Sequence, residues 1–499
     1  MVAMTVGELF TRSGLEASAA SYPEGLDSAV QGVAYDSRTL AAGELFVALK
    51  GARADGAAFV DQARARGAVA VVAETPRPEA FEVPWVEVDD ARATLAVLAA
   101  TFHGHPSREL VIVGTTGTNG KTTTTYLIEG IFVQAGISCG RVSSVSYRVD
   151  DEEQPATHTT PEAPDLQALL RRMVDRGSRA CVMEVSSHAL ALHRVNGISF
   201  DAVVFTNLTR DHLDFHGDMV SYFGIKRRLF EMAAPTATAI VNVDDPYGRT
   251  LVAELDRSVT YAIDAEADVR PDRIELSSRG IELDLRTPRG LLQIRSSLLG
   301  RGNAYNVLAA AATATALDLP AEAIIQGIGS VTGVPGRMQV VSASDDVVTV
   351  VVDFAHTDDA LRGLLETARG ITRERLITVF GCGGDRDATK RSLMGAVAGR
   401  LSDLVIITSD NPRSEDPARI AEDIEAGLSS GPTPWLTILD RTEAITRAIQ
   451  EARTGDLVVI AGKGHEQYQI VGSQVIPFED AAVAQTALKG IRRSGSQVG

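Results

Sequence analysis

The chain has 499 residues, of which 44% are apolar and 23% are charged, and its formal net charge is −17. A chain of this length is too long to fold around one ordinary hydrophobic core, and it predicts two to four domains. The composition is typical of a globular protein and excludes a disordered chain. The acidic balance argues against a general nucleic-acid binder, which is normally basic, although local basic groups can still bind small anions.

Three cysteines, Cys139, Cys181 and Cys382, lie far apart and form no CxxC pair. We therefore expect neither a disulfide framework nor a zinc site, and a reducing cytoplasm fits this pattern. The N-terminal residues are partly acidic and contain no long apolar run, and no stretch of about 18 uncharged apolar residues follows. The sequence predicts neither a secretion signal nor a membrane span.

The first domain is predicted over residues 1–107. A strand is indicated at 43–49, and the stretch 61–74 predicts a helix, a turn glycine and a strand. The polar segment 103–110, which contains Pro106, marks the first boundary.

The second domain is predicted over residues 108–336. Short apolar strands alternate with helices there, which is typical of a largely parallel sheet with helices on both faces. A helix is predicted from about Gly120 to Gln134 and another over 303–317, and residues 256–300 predict a β-rich patch. The predicted strands of the sheet lie at 109–114, 180–186, 201–207 and 237–243.

The third domain is predicted over residues 337–499, because the strand–helix alternation restarts there as a separate Rossmann-like unit. Its strands are predicted at 347–354, 374–381, 403–410 and 456–462.

The sharpest local signal is a Gly/Thr loop that ends in GKTT, between the strand at 109–114 and the following helix. Such a loop lets backbone N–H groups surround phosphate oxygens, with Lys121 adding positive charge and Thr122 reaching a magnesium ion. The match to GxxxxGK[ST] is imperfect, because Thr115 holds the first glycine position; a plain glycine turn is the alternative. The predicted nucleotide-binding residues of the loop are Gly117, Thr118, Asn119, Gly120, Lys121, Thr122 and Thr123. This loop indicates a nucleotide and leaves open whether the protein is a motor, kinase, GTPase or ligase.

Three further residues are candidates for metal or phosphate chemistry. Glu184 ends a predicted strand, where open α/β sheets place ligand groups, and its carboxylate suits Mg²⁺. His212 follows the next strand, although histidine is a less usual magnesium ligand. Lys226 lies beside Arg227 and Arg228, and spacing alone favours an ordinary solvated basic patch.

Taken together, these segments resemble the Mur ligases over nearly the whole chain. The motifs that carry the resemblance are TGTNGKTTT (116–124), MEVSSHAL (183–190), TNLTRDHLDFHG (205–216), YFGIKRRLF (222–230), GNAYNVLAA (302–310), PGRMQVV (335–341), VDFAHTDDAL (352–361), GCGGDRDATKRSLMG (381–395), DNPRSEDP (410–417) and AGKGHEQYQIVG (461–472).

The resemblance implies an amide-forming ligase that uses ATP and Mg²⁺ in cytoplasmic peptidoglycan precursor synthesis. ATP would phosphorylate the D-glutamate γ-carboxylate of UDP-N-acetylmuramoyl-L-alanyl-D-glutamate, and the amino group of meso-2,6-diaminopimelate would attack the acyl phosphate. The family also implies a monomer, and the acidic charge balance predicts no nucleic-acid partner.

The resemblance also assigns roles at the nucleotide site. Lys121 would bind the ATP phosphates, Thr122, Glu184 and His212 would bind magnesium, and a carbamylated Lys226 would help to hold a second magnesium ion. Nucleotide contacts and domain closure would come from Asn303, Asn306, Arg337, Asp353 and His356. On chemistry alone, Asn303 could equally be a helix N-cap.

For the nucleotide-linked substrate, the resemblance implies a uridine end in the first domain and a muramoyl-dipeptide arm in the second. Ser37 could otherwise be a turn residue after Asp36. The implied uridine-end contacts are Tyr35, Ser37, Ala52, Arg53 and Ala54, and those of the arm are His158, Thr159, Thr160, Ser186, Leu192 and Arg194. His158 and Leu192 depart from the family pattern, as do Gly302, Phe354 and Asp358 near the nucleotide.

The choice of amino acid is predicted to depend on Asp410, Asn411, Pro412 and Arg413. Diaminopimelate carries one carboxylate more than lysine, and a guanidinium can bind a carboxylate with two hydrogen bonds. Without the resemblance, Arg413 would be read as a surface salt-bridge residue. Arg391, Gly462 and Glu466 are implied around the same amino acid, with Glu466 suited to its ammonium group.

Three other functions share part of this pattern. A lysine-adding ligase would share the scaffold, and Arg413 argues against it. Folylpolyglutamate synthetases usually have GTNGKGS where this chain has GTNGKTT. A non-catalytic nucleotide-gated binding protein would not need Glu184, His212 and Lys226 together.

Overall fold

A computed structural model of the chain describes residues 4–15, 26–51, 54–79, 81–277, 279–343, 346–429 and 431–495. The chain divides into two compact units. The first comprises residues 1–116, 136–204 and 224–239, and the second comprises 117–135, 205–223 and 240–499.

The N-terminal part of the first unit contains a four-stranded parallel sheet of order β3-β4-β5-β6 and a short antiparallel pair, β1-β2. Its strands are β1 (Met4–Thr5), β2 (Ala29–Val30), β3 (Gly32–Ala34), β4 (Glu44–Val47), β5 (Ala70–Ala73) and β6 (Trp85–Glu87). Its helices are α1 (Val6–Ser13), α2 (Val60–Ala65) and α3 (Ala91–Phe102), with 3-10 turns at Gly56–Phe59 and Pro106–Arg108. Thr5 and Glu8 form a capping box at the start of α1, which satisfies backbone N–H groups of its first turn.

The central part of the chain contains an eight-stranded sheet of order β10-β9-β8-β11-β7-β12-β13-β14 and an antiparallel meander, β15-β16-β17. The strands are β7 (Val111–Thr116), β8 (Cys139–Val142), β9 (Ser146–Val149), β10 (Glu152–Pro155), β11 (Ala180–Glu184), β12 (Phe200–Phe205), β13 (Ala233–Asn242), β14 (Ser258–Tyr261), β15 (Arg270–Ser277), β16 (Gly280–Thr287) and β17 (Gly290–Ser296). The helices are α4 (Lys121–Gln134), α5 (Ala163–Asp175), α6 (Ser187–Ala191), α7 (Leu213–His216), α8 (Met219–Glu231), α9 (Pro246–Val252), α10 (Arg301–Ala316) and α11 (Ala321–Ser330).

Within the eight-stranded sheet, β11 pairs in parallel with both β7 and β8. The parallel sheet and the β-rich patch predicted over 256–300 are therefore confirmed. The antiparallel hairpin β9-β10 was not predicted, because its second strand is exposed throughout and has no apolar alternation to reveal it.

The C-terminal part, within the second unit, contains a six-stranded sheet of order β18-β19-β23-β20-β21-β22, parallel except at β18, and a hairpin, β24-β25. The strands are β18 (Gln339–Val340), β19 (Thr349–Asp353), β20 (Leu376–Phe380), β21 (Leu404–Ile407), β22 (Trp435–Thr437), β23 (Leu457–Ala461), β24 (Tyr468–Val471) and β25 (Gln474–Pro477). The helices are α12 (Asp358–Ile371), α13 (Lys390–Leu401), α14 (Pro417–Leu428), α15 (Arg441–Glu451) and α16 (Asp480–Gly495).

Both faces of this sheet are buried. Val405 and Ile407 join a core with α12, α13 and α14, whereas Ile406 between them joins a core with α15 and α16. Burial on both faces explains why the strands read as continuous apolar runs, and it confirms the predicted Rossmann-like unit. The three main sheets follow one another along the chain as a three-domain architecture, and the boundaries at 107/108 and 336/337 stay predictions.

Candidate active site

The phosphate loop follows β7 and leads into α4. Gly117 and Gly120 have φ angles of 146° and 88°, and a Cβ atom at either position would collide with a neighbouring side chain. Lys121 begins α4, and its Nζ donates to the carbonyl oxygens of Gly117 and Thr118, each at 2.9 Å. A lysine held over a backbone loop at a helix N-terminus suits nucleotide phosphates, so this geometry supports the predicted nucleotide site.

The segment 206–209 supports this loop from the chain that follows β12. Thr206 Oγ1 donates to the Asn119 carbonyl at 2.6 Å, and the Thr118 N–H donates to the Asn207 carbonyl at 2.9 Å. The Thr209 N–H in turn donates to Thr118 Oγ1 at 3.0 Å. Sequence reasoning assigned these supporting residues no role, although polar residues directly after a buried strand were a usable signal.

Thr122 and Thr123 lie in the first turn of α4, with exposed fractions of 3% and 4%. Arg337 Nη2 donates to Thr122 Oγ1 at 3.1 Å, and the same guanidinium lies 4.6 Å from the centre of the Phe354 ring. Burial raises the pKa of Asp353, and the nearby Arg337 opposes that rise. The structure therefore brings Arg337, which is predicted to contact the nucleotide on domain closure, to the hydroxyl predicted to bind magnesium.

Asn303 and Asn306 lie in the first two turns of α10. Asn306 Nδ2 donates to Asn303 Oδ1 at 3.0 Å, and Thr124 Oγ1 donates to Asn306 Oδ1 at 3.4 Å. The N-cap of α10 is Gly300, so Asn303 is not the helix cap that chemistry alone allowed. Asn306 instead lies beside the phosphate loop, where a nucleotide contact is predicted.

A charged cluster forms around Asp211, which sequence reasoning did not single out. Burial raises the pKa of Asp211, but His356, His212 and Lys390 together outweigh it and hold this pKa below its usual value. Burial and Lys390 lower the pKa of His356. His212 Nε2 lies 3.4 Å from Asp211 Oδ2, so the cluster contains two predicted site histidines and a carboxylate that links them.

Glu184 lies in the first unit, at the end of β11, with an exposed fraction of 1%. Its Oε1 accepts the Ser144 N–H at 2.7 Å, and its carbonyl accepts Thr160 Oγ1 at 2.9 Å. Ser186 Oγ accepts the Ala189 N–H at 3.1 Å and caps α6. These contacts fix predicted metal and substrate residues side by side on one strand end.

The predicted dipeptide-arm residues lie around Arg194. Its Nη1 donates to the Thr160 carbonyl at 3.0 Å, and its Nη2 lies 2.8 Å from Glu162 Oε1. Glu162 is therefore a partner that the sequence did not reveal. Thr159 is half-buried, His158 is exposed, and Leu192 is the C-cap of α6.

At the predicted uridine end, Ser37 is buried and its Oγ donates to Gln62 Oε1 at 2.8 Å, although the residue also lies in a turn. Tyr35 Oη donates to Asp165 Oδ2 at 2.7 Å. Burial is the main cause of the raised pKa of Tyr35, and the hydrogen bond to Asp165 raises it further. Ala54 is exposed, and the predicted contacts Ala52 and Arg53 lie outside the described residues.

Lys226 lies on α8 with an exposed fraction of 1%. The solvated basic patch that spacing alone favoured is therefore wrong for this residue. The carbamylation that the resemblance implies for Lys226 stays a prediction.

At the predicted amino-acid site, Arg413 has a left-handed backbone, with φ of 53°, and its Nη1 donates to the Gly384 carbonyl at 2.7 Å. Among the residues that the structure describes, Arg413 takes part in no ion pair. The surface salt bridge that the sequence alone suggested for it is therefore wrong. Arg391 is buried and pairs with Glu415 and Asp423, each at 2.9 Å.

The remaining predicted residues of this site are also packed in place. Asp410, Asn411 and Pro412 are buried after β21, and Gln469 Nε2 donates to the Asp410 carbonyl at 2.7 Å. Gly462, which follows β23, has φ of 111° and approaches the Asp410 carboxylate so closely that a Cβ atom would lie 2.7 Å from Asp410 Oδ2.

Within the described part of the chain, no group of three or more His, Cys, Asp or Glu side chains is arranged to hold a metal ion. In the same residues no helix is both long and apolar enough to cross a membrane.

Comparisons with known proteins match the chain over most of its length. Three family models match in succession: "Mur ligase family, catalytic domain" at residues 29–103, "Mur ligase middle domain" at 115–314, and "Mur ligase, glutamate ligase domain" at 336–464. A UDP-N-acetylmuramoyl-L-alanyl-D-glutamate–2,6-diaminopimelate ligase from Gloeobacter violaceus is 47% identical, over 99% of this chain and 100% of the relative.

Solved structures agree with this match. A structure of a UDP-N-acetylmuramoyl-L-alanyl-D-glutamate–2,6-diaminopimelate ligase superposes with a TM-score of 0.69 at 31% identity, over 98% of this chain and 100% of that one. The MurF ligase from Thermotoga maritima in complex with ADP superposes with a TM-score of 0.64 at 19% identity, over 93% and 97% of the two chains, and shows a shared fold.

Proposed function

Because the chain belongs to the Mur ligase family, we propose that it is an ATP-dependent ligase that adds meso-2,6-diaminopimelate to UDP-N-acetylmuramoyl-L-alanyl-D-glutamate. The reaction would serve peptidoglycan precursor synthesis and yield ADP and phosphate. Its substrates, ATP and a UDP-linked precursor, are cytoplasmic metabolites, which supports a cytoplasmic site of action.

The proposed reaction has two steps. An oxygen of the D-glutamate γ-carboxylate attacks the γ-phosphorus of ATP, the bond to ADP breaks, and an acyl phosphate forms. The free amine of the diamino acid then attacks the acyl carbon, phosphate leaves from the tetrahedral intermediate, and the nitrogen loses a proton as the amide forms. Both steps bring anions together, so positive charge and alignment are the main requirements.

The phosphate loop and Arg337 supply that charge and alignment. Lys121 and the loop N–H groups would bind the phosphate oxygens, and Arg337 already lies within hydrogen-bond distance of Thr122. Asn306, held by Thr124 and Asn303, would orient the nucleotide from α10.

Magnesium fits the donors that this chain offers. Thr122 and Glu184 present oxygen atoms from buried side chains, and a backbone N–H already orients the Glu184 carboxylate. We propose these two residues and His212 as the ligands. When bound, Mg²⁺ would neutralise charge on the phosphate oxygens.

The burial of Lys226 supports its proposed carbamylation. The side chain is shielded from bulk water, and its neutral amine would add CO₂ and lose a proton to become a carbamate anion that suits a second magnesium ion. Labelled bicarbonate should therefore be incorporated by the wild type and not by Lys226→Ala. Equal labelling of both proteins would contradict the assignment.

The proposed choice of diaminopimelate rests on Arg413 and Glu466, which lie on loops that hydrogen bonds join to each other. The Arg413 N–H donates to the Ile470 carbonyl at 3.1 Å, and Asn411, two residues before Arg413, donates from its Nδ2 to Glu466 Oε2 at 2.9 Å. A guanidinium and a carboxylate held together in this way suit the carboxylate and ammonium at the distal end of diaminopimelate.

Phosphate release from ATP, measured with the UDP-linked dipeptide and either meso-diaminopimelate or L-lysine, tests the proposal. We expect strong release only with diaminopimelate. Arg413→Leu should lower kcat/KM for diaminopimelate about 100-fold or more, because it removes a guanidinium that would donate two hydrogen bonds to the extra carboxylate. Arg419→Leu, at an exposed arginine on α14, is the matched control and should change little.

Other results would redirect the proposal. Release with lysine alone would support the lysine-adding ligase and overturn the role given to Arg413. Absence of release with either amino acid would favour the non-catalytic binding protein.

A further inference from the structure

The loop after β23 buries a lysine beside the proposed amino-acid site. The Lys463 side chain has no exposed surface, whereas that of Glu466 is 21% exposed. Taking an ammonium out of water is costly unless it is paired and hydrogen-bonded, so Lys463 must be compensated by its immediate partners. Its hydrogen-bond partners are two proposed substrate-binding residues, and its Nζ also lies over the Tyr468 ring, 5.6 Å from the ring centre.

Lys463, Glu466 and Asn411 form a closed triangle of hydrogen bonds. Lys463 Nζ donates to Glu466 Oε2 at 2.7 Å and to Asn411 Oδ1 at 3.1 Å. Asn411 Nδ2 donates to the same Glu466 Oε2 at 2.9 Å. Two donors on one oxygen fix the carboxylate in a single orientation, and Lys463 is the one charged donor in the triangle.

The triangle is also tied to Arg413 through the hairpin β24-β25. The Ile470 N–H donates to Asn411 Oδ1 at 2.9 Å, while the Ile470 carbonyl accepts the Arg413 N–H at 3.1 Å. The Gly472 N–H completes the pairing by donating to the Arg413 carbonyl at 2.8 Å. The carboxylate of Glu466 and the backbone of Arg413 are therefore held by one connected set of bonds.

We propose that Lys463 is a positioning residue that holds Glu466 in place for the ammonium of the incoming diamino acid. This inference rests on the proposed function. Lys463 acts through Glu466 and makes no contact with the substrate. It sets where the ammonium binds relative to Arg413, and so it contributes to recognition of an amino acid that carries both charges at its distal end.

The test compares Lys463→Met, which keeps the length of the side chain and removes Nζ, with the wild type. We expect KM for diaminopimelate to rise about 10- to 100-fold, the range of one hydrogen bond to a charged group. KM for ATP and for the UDP-linked dipeptide, and kcat at saturation, should stay within about threefold, because only the positioning of Glu466 changes. Lys489→Met, at an exposed lysine on α16, is the matched control and should leave all constants unchanged.

A double mutant separates positioning from general support of the fold. In a Glu466→Gln background, adding Lys463→Met should change KM for diaminopimelate less than about threefold, since the group that Lys463 positions is already lost. Should Lys463→Met fail to fold, Lys463→Gln carries the same comparison, because it keeps a donor and loses the charge.

Several outcomes would overturn the inference. An unchanged KM for diaminopimelate in Lys463→Met would do so, as would an equal rise in KM for ATP, or a full effect of Lys463→Met in the Glu466→Gln background. In each of these cases the wild type still turns over, and the proposed function stands. A wild type with no diaminopimelate-dependent turnover would overturn both.

Discussion

Arg337 Nη2 donates a hydrogen bond to Thr122 Oγ1 at 3.1 Å, between residues 215 positions apart in the sequence. The bond places a guanidinium next to the first turn of α4, where the phosphates are proposed to bind. The same guanidinium lies over the Phe354 ring, 4.6 Å from its centre.

We predict that Arg337→Met lowers kcat about 100- to 1,000-fold, because a charged donor beside the transferring phosphoryl group is removed. KM for the UDP-linked dipeptide should change little. Initial rates of phosphate release at varied ATP would measure the effect. The control is Arg447→Met, at an arginine that is 49% exposed and pairs with Glu451 on its own helix. Equal losses in the two variants would refute a local role for Arg337.

Gly120 needs both its left-handed backbone and its missing side chain. We predict that Gly120→Ala raises KM for ATP about tenfold or more, because the new methyl group would displace Asn306 Oδ1. Gly136→Ala, at φ of 71° with open space around it, carries the same backbone strain of about 1–2 kcal/mol without the collision. Binding of a fluorescent ATP analogue would compare the two. A similar loss of affinity in both would show that strain alone is responsible.

Arg441 and Asp480 form a fully buried ion pair between the first turns of α15 and α16, with Nε to Oδ1 at 2.7 Å. The same arginine donates from Nη1 to the Ser409 carbonyl and from Nη2 to the Ala461 carbonyl, one residue before Asp410 and Gly462. We predict that Asp480→Asn lowers the free energy of unfolding by about 3–5 kcal/mol, because a buried charge loses its partner.

Urea unfolding would measure this loss. The control is Glu451→Gln in the exposed pair Arg447–Glu451, where side-chain exposures are 49% and 37% and the expected change is about 1 kcal/mol or less. Comparable destabilisation of both variants would contradict the prediction.

Burial, with a smaller effect of Arg171, lowers the pKa of His103 below its usual 6.5. The unfolded chain then binds a proton at this site more readily than the folded protein does as pH falls through 6.5. His103 should therefore cost stability at acidic pH and nothing above neutrality.

His103 should make the free energy of unfolding fall as the pH is lowered below 6.5. We predict that His103→Gln makes this slope shallower, by up to about 1.4 kcal/mol per pH unit. Urea unfolding of the wild type and the variant at several pH values from neutral to mildly acidic would compare the slopes. Parallel curves would show that this histidine titrates alike in both states.

The strand and helix positions were predictable where the local pattern was strong. The phosphate loop is a local strand–glycine–helix arrangement, so residues 117–123 are identifiable from the sequence alone. β10 was not predicted because its exposed residues show no periodic pattern of apolar side chains. The hairpin β24-β25 was not predicted as strands, although its first strand lies within the motif that contains Glu466. Asn303 was a possible helix cap until the structure placed the cap at Gly300.

The short motifs of the chain indicated a nucleotide site, because GKTT holds its functional atoms within a few residues, and the resemblance of ten motifs in order to the Mur ligases indicated the class of reaction. Only the tertiary structure decided which distant residues support them. Thr206 and Thr209 meet the phosphate loop from about 90 positions away, and Lys463 meets Asn411 across 52 positions. The physical reason is that hydrogen bonds within a turn join residues close in sequence, so a local pattern predicts them. Hydrogen bonds between the ends of different strands depend on which strands the topology places side by side.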